Sequence, residues 1–442
     1  MTLRNFPIFL LGLALSLSAC EVKQKPKIDI QAPSTQPAIS IPKPIPLPEP
    51  EDIQPLTSQE QSYTIATLLP LSGQSANLGR QISQGIETAF YRYGRNHQKI
   101  RFYDTQGRRF AAIQAGKKAF SDGADVIIGP LFSHSAAAII PLAQEQQVPL
   151  ITFSNNNALL EQTAKENQNS SVHILGITPK EELRQLIEVS TLSGLQNFAL
   201  IAPNDSYGQQ IQQDMQEIVS ENFANFARSM LYDPANVDFS EQIQQLSDYR
   251  ERRNAYKQEM RRLENSGITS KKEREKLLGY KETFGSVPFD AVILITYDDN
   301  SLRTLAAQLE YYEVEPETVQ YMGLRQWQNF RDLHLEPSLR GSWFVGLDQK
   351  RAALFEQLHQ QLYQEPTTFF TALGFDTVTM LTHFNATQAS PIPIALQQRQ
   401  GIIGATGAYR LENDGTVSRK MSLFEVTPKG VEVRLNAEES WR

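Results

Sequence analysis

The sequence predicts an α/β protein of two lobes, each a parallel sheet flanked by helices, with a helical hairpin inserted into the second lobe. Three observations carry this. From Tyr63 on, short apolar β-rich runs alternate with segments of helical period, the pattern of parallel sheets covered on both faces. The alternating part runs for about 380 residues, too long for one sheet and its helices. Residues 249–284 break the alternation with 11 Lys/Arg against 6 Asp/Glu, a local +5 in a chain of −7.

The elements follow in order. YTIATLLPL, from Tyr63, is a strand ending at a proline; Leu78, Ile82, Ile86, Ala89 and Phe90 then recur at helical spacing. KIRFY, from Lys99, is the next strand, and AAIQAGKKAFSDG is a helix stopped at Gly123. ADVIIGPL and VPLITFS are strands on either side of the helix SHSAAAIIPLAQEQQ. NFALIAP, FDAVILITY and VQYMGL are further strands, alternating with YGQQIQQDMQEIVSEN and SLRTLAAQLEYY as helices. In open parallel sheets ligands lie beyond the carboxyl ends of the strands, so the turns to watch are 70–77, 129–135, 154–157, 204–208, 297–300 and 323–327.

In the insertion, Leu246, Tyr249, Arg253, Tyr256, Met260 and Leu263 are spaced 3, 4, 3, 4, 3, a helical stripe. Asn265-Ser266-Gly267 breaks it, and Ser270–Phe284 reads as a second helix. The hairpin is either a solvated excrescence or a docking arm for an acidic partner or an anionic surface.

The N-terminus is an address. Arg4 precedes an apolar run from Phe6 to Leu17, and small residues lead to Cys20, the only cysteine of the chain. This is a signal peptide, residues 1–20, too short to span a membrane. Leu17-Ser18-Ala19-Cys20 resembles the bacterial lipobox, in which the cysteine is lipidated; more than one acyl chain makes a firm anchor. Glu21 in place of Asp favours the outer membrane over the inner. Residues 21–57 hold nine prolines, which fix φ and remove donors, so this segment is an extended tether. At about 3.1 Å per residue it reaches on the order of 100 Å.

Chemistry is sparse. One cysteine forbids an internal disulfide or a multi-cysteine metal site, and the acidic balance argues against nucleic acid as partner. G-x-x-x-x-G-K-[ST], G-x-G-x-x-G, G-x-S-x-G and H-E-x-x-H are all missing, and no two of the six histidines stand at i, i+4. Ser133-His134-Ser135 has no evident orienting acid and reads as the cap of the following helix. Asp104 and Asp205 read as turn and cap residues. No catalytic residue, cofactor or metal is expected.

LLPLSGQSANLG, GADVIIGPLFSHSAAAIIPLAQEQQVPLITFSNN, NDSYGQQ and VDFSEQIQQL resemble the type I periplasmic binding proteins, among them the branched-chain amino-acid-binding proteins of transport systems. The resemblance covers roughly 62–442. It implies two lobes joined by crossing strands, with a hinged cleft between them. It assigns 58–175 and 345–405 to an N-terminal lobe, 176–344 and 406–442 to a C-terminal lobe, and 245–285 to the insertion. It implies cleft positions for Ser133, which matches a serine holding the ligand's carboxylate, for Asn155 and Asn156, and for the tyrosines Tyr207 and Tyr297. Arg325 falls where amino-acid-binding members place an acid that pairs with the ligand's ammonium. A guanidinium repels an ammonium, so a carboxylate or phosphate suits that cleft better than a zwitterion.

FDAVILITYDDNSLRTLAAQLEYYEVEPETVQYMGLRQW, LRGSWFVGLD, GFDTVTML and GATGAYRLENDGTVSRKMSLFEV resemble a narrower branch, the penicillin-binding protein activators of the LpoA type, in their short alphaproteobacterial form. Longer members carry a helical-repeat domain where this chain has its tether. The resemblance implies a periplasm-facing lipoprotein, non-catalytic, that stimulates a class A penicillin-binding protein. The alternative is a solute-binding lipoprotein of an ABC transporter, with an amino acid or small anion in the cleft.

Overall fold

The computed structural model describes residues 63–94, 97–161, 171–347, 349–384 and 401–437. The signal sequence, Cys20 and the proline-rich tether lie outside the described residues.

The first sheet is built from β1 (Tyr63–Leu69), β2 (Gln98–Asp104), β3 (Val126–Ile128), β4 (Leu150–Thr152) and β5 (Val172–Ile174), all parallel in the order β2-β1-β3-β4-β5. Between them run α1 (Ala76–Tyr93), α2 (Arg109–Ser121), α3 (Ser133–Glu145) and α4 (Ala158–Glu161). Alternate residues of β1 serve opposite faces: Ile65 and Leu69 join one apolar core, Ala66 and Leu68 the other. Each such fully buried branched side chain contributes about 1.5–3 kcal/mol, which is why these strands read as continuous apolar runs.

The chain then enters the second lobe through α5 (Pro179–Leu192), capped by Thr178, whose hydroxyl accepts from the Glu181 N–H. It continues as β6 (Asn197–Pro203), α6 (Ser206–Glu221), β7 (Asn225–Tyr232), α7 (Ser240–Leu246), α8 (Tyr249–Asn265), α9 (Lys271–Leu277), β8 (Ala291–Leu294), α10 (Asp299–Tyr311), β9 (Gln320–Gly323) and β10 (Trp343–Gly346). It returns to the first lobe as α11 (Gln349–Tyr363) and α12 (Phe369–Phe384). There α12 lies hard against α1: a Cβ on Gly85 would meet the Thr371 carbonyl oxygen at 1.9 Å, and one on Gly374 the Ile82 oxygen at 2.4 Å. Two glycines therefore set this helix contact.

A small antiparallel sheet follows, β11 (Ile402–Gly404), β12 (Gly407–Leu411) and β13 (Val417–Arg419). Its Ile402, Tyr409, Leu411 and Val417 join the first lobe's core. The second lobe resumes only at β14 (Ser422–Thr427), which pairs antiparallel with β10, and β15 (Gly430–Leu435). Its sheet has the order β15-β14-β10-β9-β8-β6-β7. The pattern puts the last crossing at 405–406; the core contacts put it after Arg419, because the apolar faces of β12 and β13 are spent on α12's lobe.

The insertion is a helical pair, α8 and α9, shorter in its second arm than the sequence suggests. Ser270 opens α9 by accepting from the Glu273 N–H at 3.4 Å, and the helix ends at Leu277, ahead of Gly279 at φ +71. The inward stripe also differs by one position. Arg252, not Arg253, faces in: 6% exposed, its guanidinium donates to the carbonyls of Ser247 (2.9 Å), Glu313 (3.2 Å) and Tyr312 (2.9 Å) and to Thr283 Oγ1 (3.1 Å). Carbonyls left open at the end of α10 attract a cation there, which hydrophobic spacing cannot foretell.

Candidate functional site

Three crossings join the lobes, from β5 to α5, from β10 to α11 and from β13 to β14. The turns after β3, β4, β6, β8 and β9 carry the residues the sequence proposes. Ser133 is the first residue of α3 and half-buried. It is not the cap. That position falls to Phe132, with no side-chain bond, because the chain turns into α3 one residue earlier than a Ser133 cap requires. Phe132 stacks on His134 with centroids 5.7 Å apart, and His134 Nε2 lies 3.0 Å from the Gly107 carbonyl oxygen, so this imidazole braces a loop. Asn155 and Asn156 form the exposed turn after β4, where Asn156 Oδ1 accepts from the Ala158 N–H at 3.0 Å.

Across the junction, Asp205 caps α6, accepting from the N–H groups of Tyr207 and Gly208 at 3.0 Å each. The Tyr297 hydroxyl donates to its other oxygen at 2.5 Å. Tyr207 and Tyr297 stack with centroids 6.1 Å apart. The hydrogen bond from Tyr297 holds the Asp205 carboxyl below its usual range, and burial together with that carboxylate pushes the Tyr297 phenol up to about 12. Burial, then the Glu182 carboxylate, pushes the Tyr207 phenol up as well. Among the described residues, no hydrogen bond, ion pair or ring contact joins Ser133, Asn155 or Asn156 to Tyr207, Tyr297 or Arg325.

Arg325 opens a short 3₁₀ turn after β9. Its charge has a carboxylate beside it, and its backbone amide binds the same carboxylate. Its N–H donates to Glu182 Oε2 at 2.7 Å, and its Nε lies 3.4 Å from Glu182 Oε1. From the other lobe, the Phe369 ring covers the guanidinium, with the centroid 4.2 Å from Cζ. A carboxylate and an aromatic face therefore flank the guanidinium, while its Nε makes no hydrogen bond and no acceptor of Nη1 or Nη2 is found among the described residues. Two residues escaped the sequence reading here. Glu182 sits in an ordinary acidic first turn, and Phe369 opens an apolar helix; neither pattern signals a partner across a cleft.

Behind this pair lies a buried polar cluster. Arg419, 2% exposed, donates to Thr406 Oγ1 (2.6 Å) and the Leu175 carbonyl (2.9 Å) and lies 5.1 Å from the Tyr409 ring centroid. Asp376, fully buried in α12, accepts from the N–H groups of Ala405 (2.5 Å) and Thr406 (2.9 Å) and from the Thr406 hydroxyl (2.5 Å). Glu181 Oε1 is buried without a hydrogen-bond partner. Burial pushes its carboxyl up to about 8, with Arg419 opposing and Glu182 adding to the rise. Burial also raises Glu182, against the pull of Arg325. All these groups lie near the segments where the chain crosses between lobes. Among the described residues, no three His, Cys, Asp or Glu side chains gather as a metal set, and no helix is long and apolar enough to cross a membrane.

This two-lobed geometry has relatives. The model of the periplasmic binding protein family matches residues 62–431. The chain belongs to that family. Among solved structures, a protein of Rhodospirillum rubrum described as a branched-chain amino acid ABC transporter shares the fold at a TM-score of 0.63, with 15% identity over 84% of this chain and 99% of that one. An uncharacterized protein of Rickettsia prowazekii is 25% identical over 177 residues, 40% of this chain and 44% of that protein. The penicillin-binding protein activator LpoA of Glaesserella parasuis is 29% identical over 151 residues, 34% of this chain and 24% of the activator. The chain thus matches less than half the length of either curated relative.

Proposed function

We propose that this family member is a non-catalytic envelope protein, anchored through Cys20 and facing the periplasm, that regulates peptidoglycan synthesis by binding and activating a class A penicillin-binding protein. The observation that carries the reading is the state of Arg325. A solute-binding cleft of the amino-acid type needs an unpaired charge to meet the ligand's ammonium or carboxylate. Here Glu182 and Phe369 already flank the cation at that place, the first as a counter-charge and the second as a cover. The 29% identity with an LpoA activator supports a partner of the same class. Glycan-strand synthesis by a purified class A synthase is the test. The expected result is a several-fold stimulation by this chain and a stable complex on co-purification; an unchanged rate with no complex overturns the proposal.

A second reading is a solute-binding protein of an ABC transporter, and one observation favours it. The stacked Tyr207 and Tyr297 offer an aromatic wall beside the junction, with Tyr297 52% exposed. Calorimetry with branched-chain amino acids and small aromatic acids separates the two: micromolar binding lost in Tyr297→Ala favours transport.

A further inference from the structure

We propose that the α8–α9 arm is a docking face for an anionic phospholipid surface. The proposal rests on the described arm alone and stands or falls independently of the synthase reading. Two arginines, Arg252 and Arg274, are spent inside the arm. Arg252 fixes its base to the end of α10, and Arg274, 7% exposed, donates to the carbonyls of Ile268 (2.7 Å) and Thr269 (2.8 Å) in the connecting turn. These two buried guanidiniums tie the arm's base to the second lobe and close its connecting turn.

The remaining cations point outward. Arg253, Arg262, Lys271 and Lys281 are in ion pairs with Glu282, Glu259, Glu275 and Glu315. Arg250, Lys257, Arg261, Lys272 and Lys276 are exposed, and none of them is in an ion pair among the described residues. Arg250, Lys257 and Arg261 are separated by seven and four residues, so they form one stripe along α8. Tyr249, Tyr256, Met260 and Leu263, buried or half-buried, occupy its packed side. Lys272 and Lys276 stand at i, i+4 on α9.

This positive face belongs to a chain of net charge −7, so it complements an anionic surface and not the protein's own average field. A lipid surface is favoured over an acidic protein by what flanks the lysines. Leu277 and Tyr280, 59% and 65% exposed, lie beside Lys276 and Lys281. Aliphatic and aromatic side chains held in water among lysines are the composition that partitions into a headgroup layer.

Vesicle co-sedimentation tests this with the chain from residue 20 onward carrying Cys20→Ser, the mature form without acyl groups. The expected result is binding to mixed phosphatidylcholine–phosphatidylglycerol vesicles, none to phosphatidylcholine alone, and release at high salt. A variant with Lys257, Arg261, Lys272 and Lys276 all changed to Gln loses roughly a hundredfold or more in affinity, since each basic residue at an anionic surface is worth about fivefold. These positions are exposed, so its melting temperature stays that of the parent. The control, Lys99, Arg108, Arg109 and Lys117 changed to Gln, removes the same charge from the first lobe and binds as the parent does. No binding to anionic vesicles, equal binding to neutral ones, or an equal loss in the control overturns the proposal. Salt-sensitive self-association without vesicle binding also overturns it, and makes a second copy the occupant of the arm.

Discussion

At the lobe junction, Arg325 and Arg419 lie against carboxylate, carbonyl and aromatic groups; on the α8–α9 arm, Arg250, Lys257 and Arg261 are exposed and in no ion pair among the described residues. One residue chemistry serves two purposes. Inside, the guanidinium is a five-donor strut, and its charge is cancelled by groups that would otherwise be open or unpaired. Outside, the charge is left over. A cation held by structural partners has fewer donors to offer a ligand, whereas one left over costs the fold little and is available to a partner.

The sharpest way to break that contrast is Arg419→Met. The substitution leaves the Leu175 carbonyl, the Thr406 hydroxyl and the acids Asp376 and Glu181 without their cation. Removing one partner from a buried charged cluster costs about 3–5 kcal/mol. Urea denaturation should show a loss of that size, against about 0.5 kcal/mol or less for Lys257→Gln. Equal costs would mean that Arg419 is no more structural than the arm's surface.

Arg252→Ala comes next. It removes one cation with four recorded acceptors, and charge-assisted hydrogen bonds are worth about 1.5–3 kcal/mol when intact. We expect a loss of about 2–3 kcal/mol felt mainly in the arm. Hydrogen exchange should quicken across residues 249–284 while the strands of both sheets keep their protection. Uniform quickening would make the arm part of the second lobe's cooperative core.

Glu181 offers an effect with a definite sign. Its folded carboxyl titrates at about 8 against an ordinary 4.5. Below pH 4.5 both states hold the proton. As pH rises from there to about 8, the unfolded chain releases it and the folded chain does not, so stability falls through this window. The expected decline is on the order of 4 kcal/mol between pH 5 and 8.5, and Glu181→Gln should lessen it. A variant whose stability falls as steeply as the parent's would show that Glu181 is not the group responsible.

How much of this was legible in the sequence follows from range. Strands such as YTIATLL and NFALIAP were readable because burial on both faces makes a continuous apolar run, and Asp205 because caps act within three residues. Arg325 was found by position in a resemblance, yet its state was not: Glu182, 143 residues away, and Phe369 in the other lobe decide it. The inward arginine of α8 was missed by one place because the stripe was scored for apolar spacing, while the pocket at that place is made of carbonyls. The resemblance puts β11 in the first lobe, where it lies, but β12 and β13 in the second, because alternation tells which residues are buried and not which core buries them.

The finest contrast lies within the junction itself, where Tyr297 is 52% exposed and yet bonded to the cap of α6. Tyr297→Phe keeps the ring against Tyr207 and removes only the hydroxyl. Asp205 still caps α6 through the N–H groups of Tyr207 and Gly208, so the cost is that of one exposed hydrogen bond, about 0.5–1 kcal/mol at neutral pH. Asp205 is held below its ordinary 3.8, so its share of the stability is present above that value and is lost as pH falls through the lower, folded one. The difference between parent and Tyr297→Phe should therefore shrink in acid. Chemical denaturation of both proteins at neutral pH and near pH 3 measures it. A difference that stays constant with pH would show that the hydroxyl acts through packing and leaves the carboxylate alone.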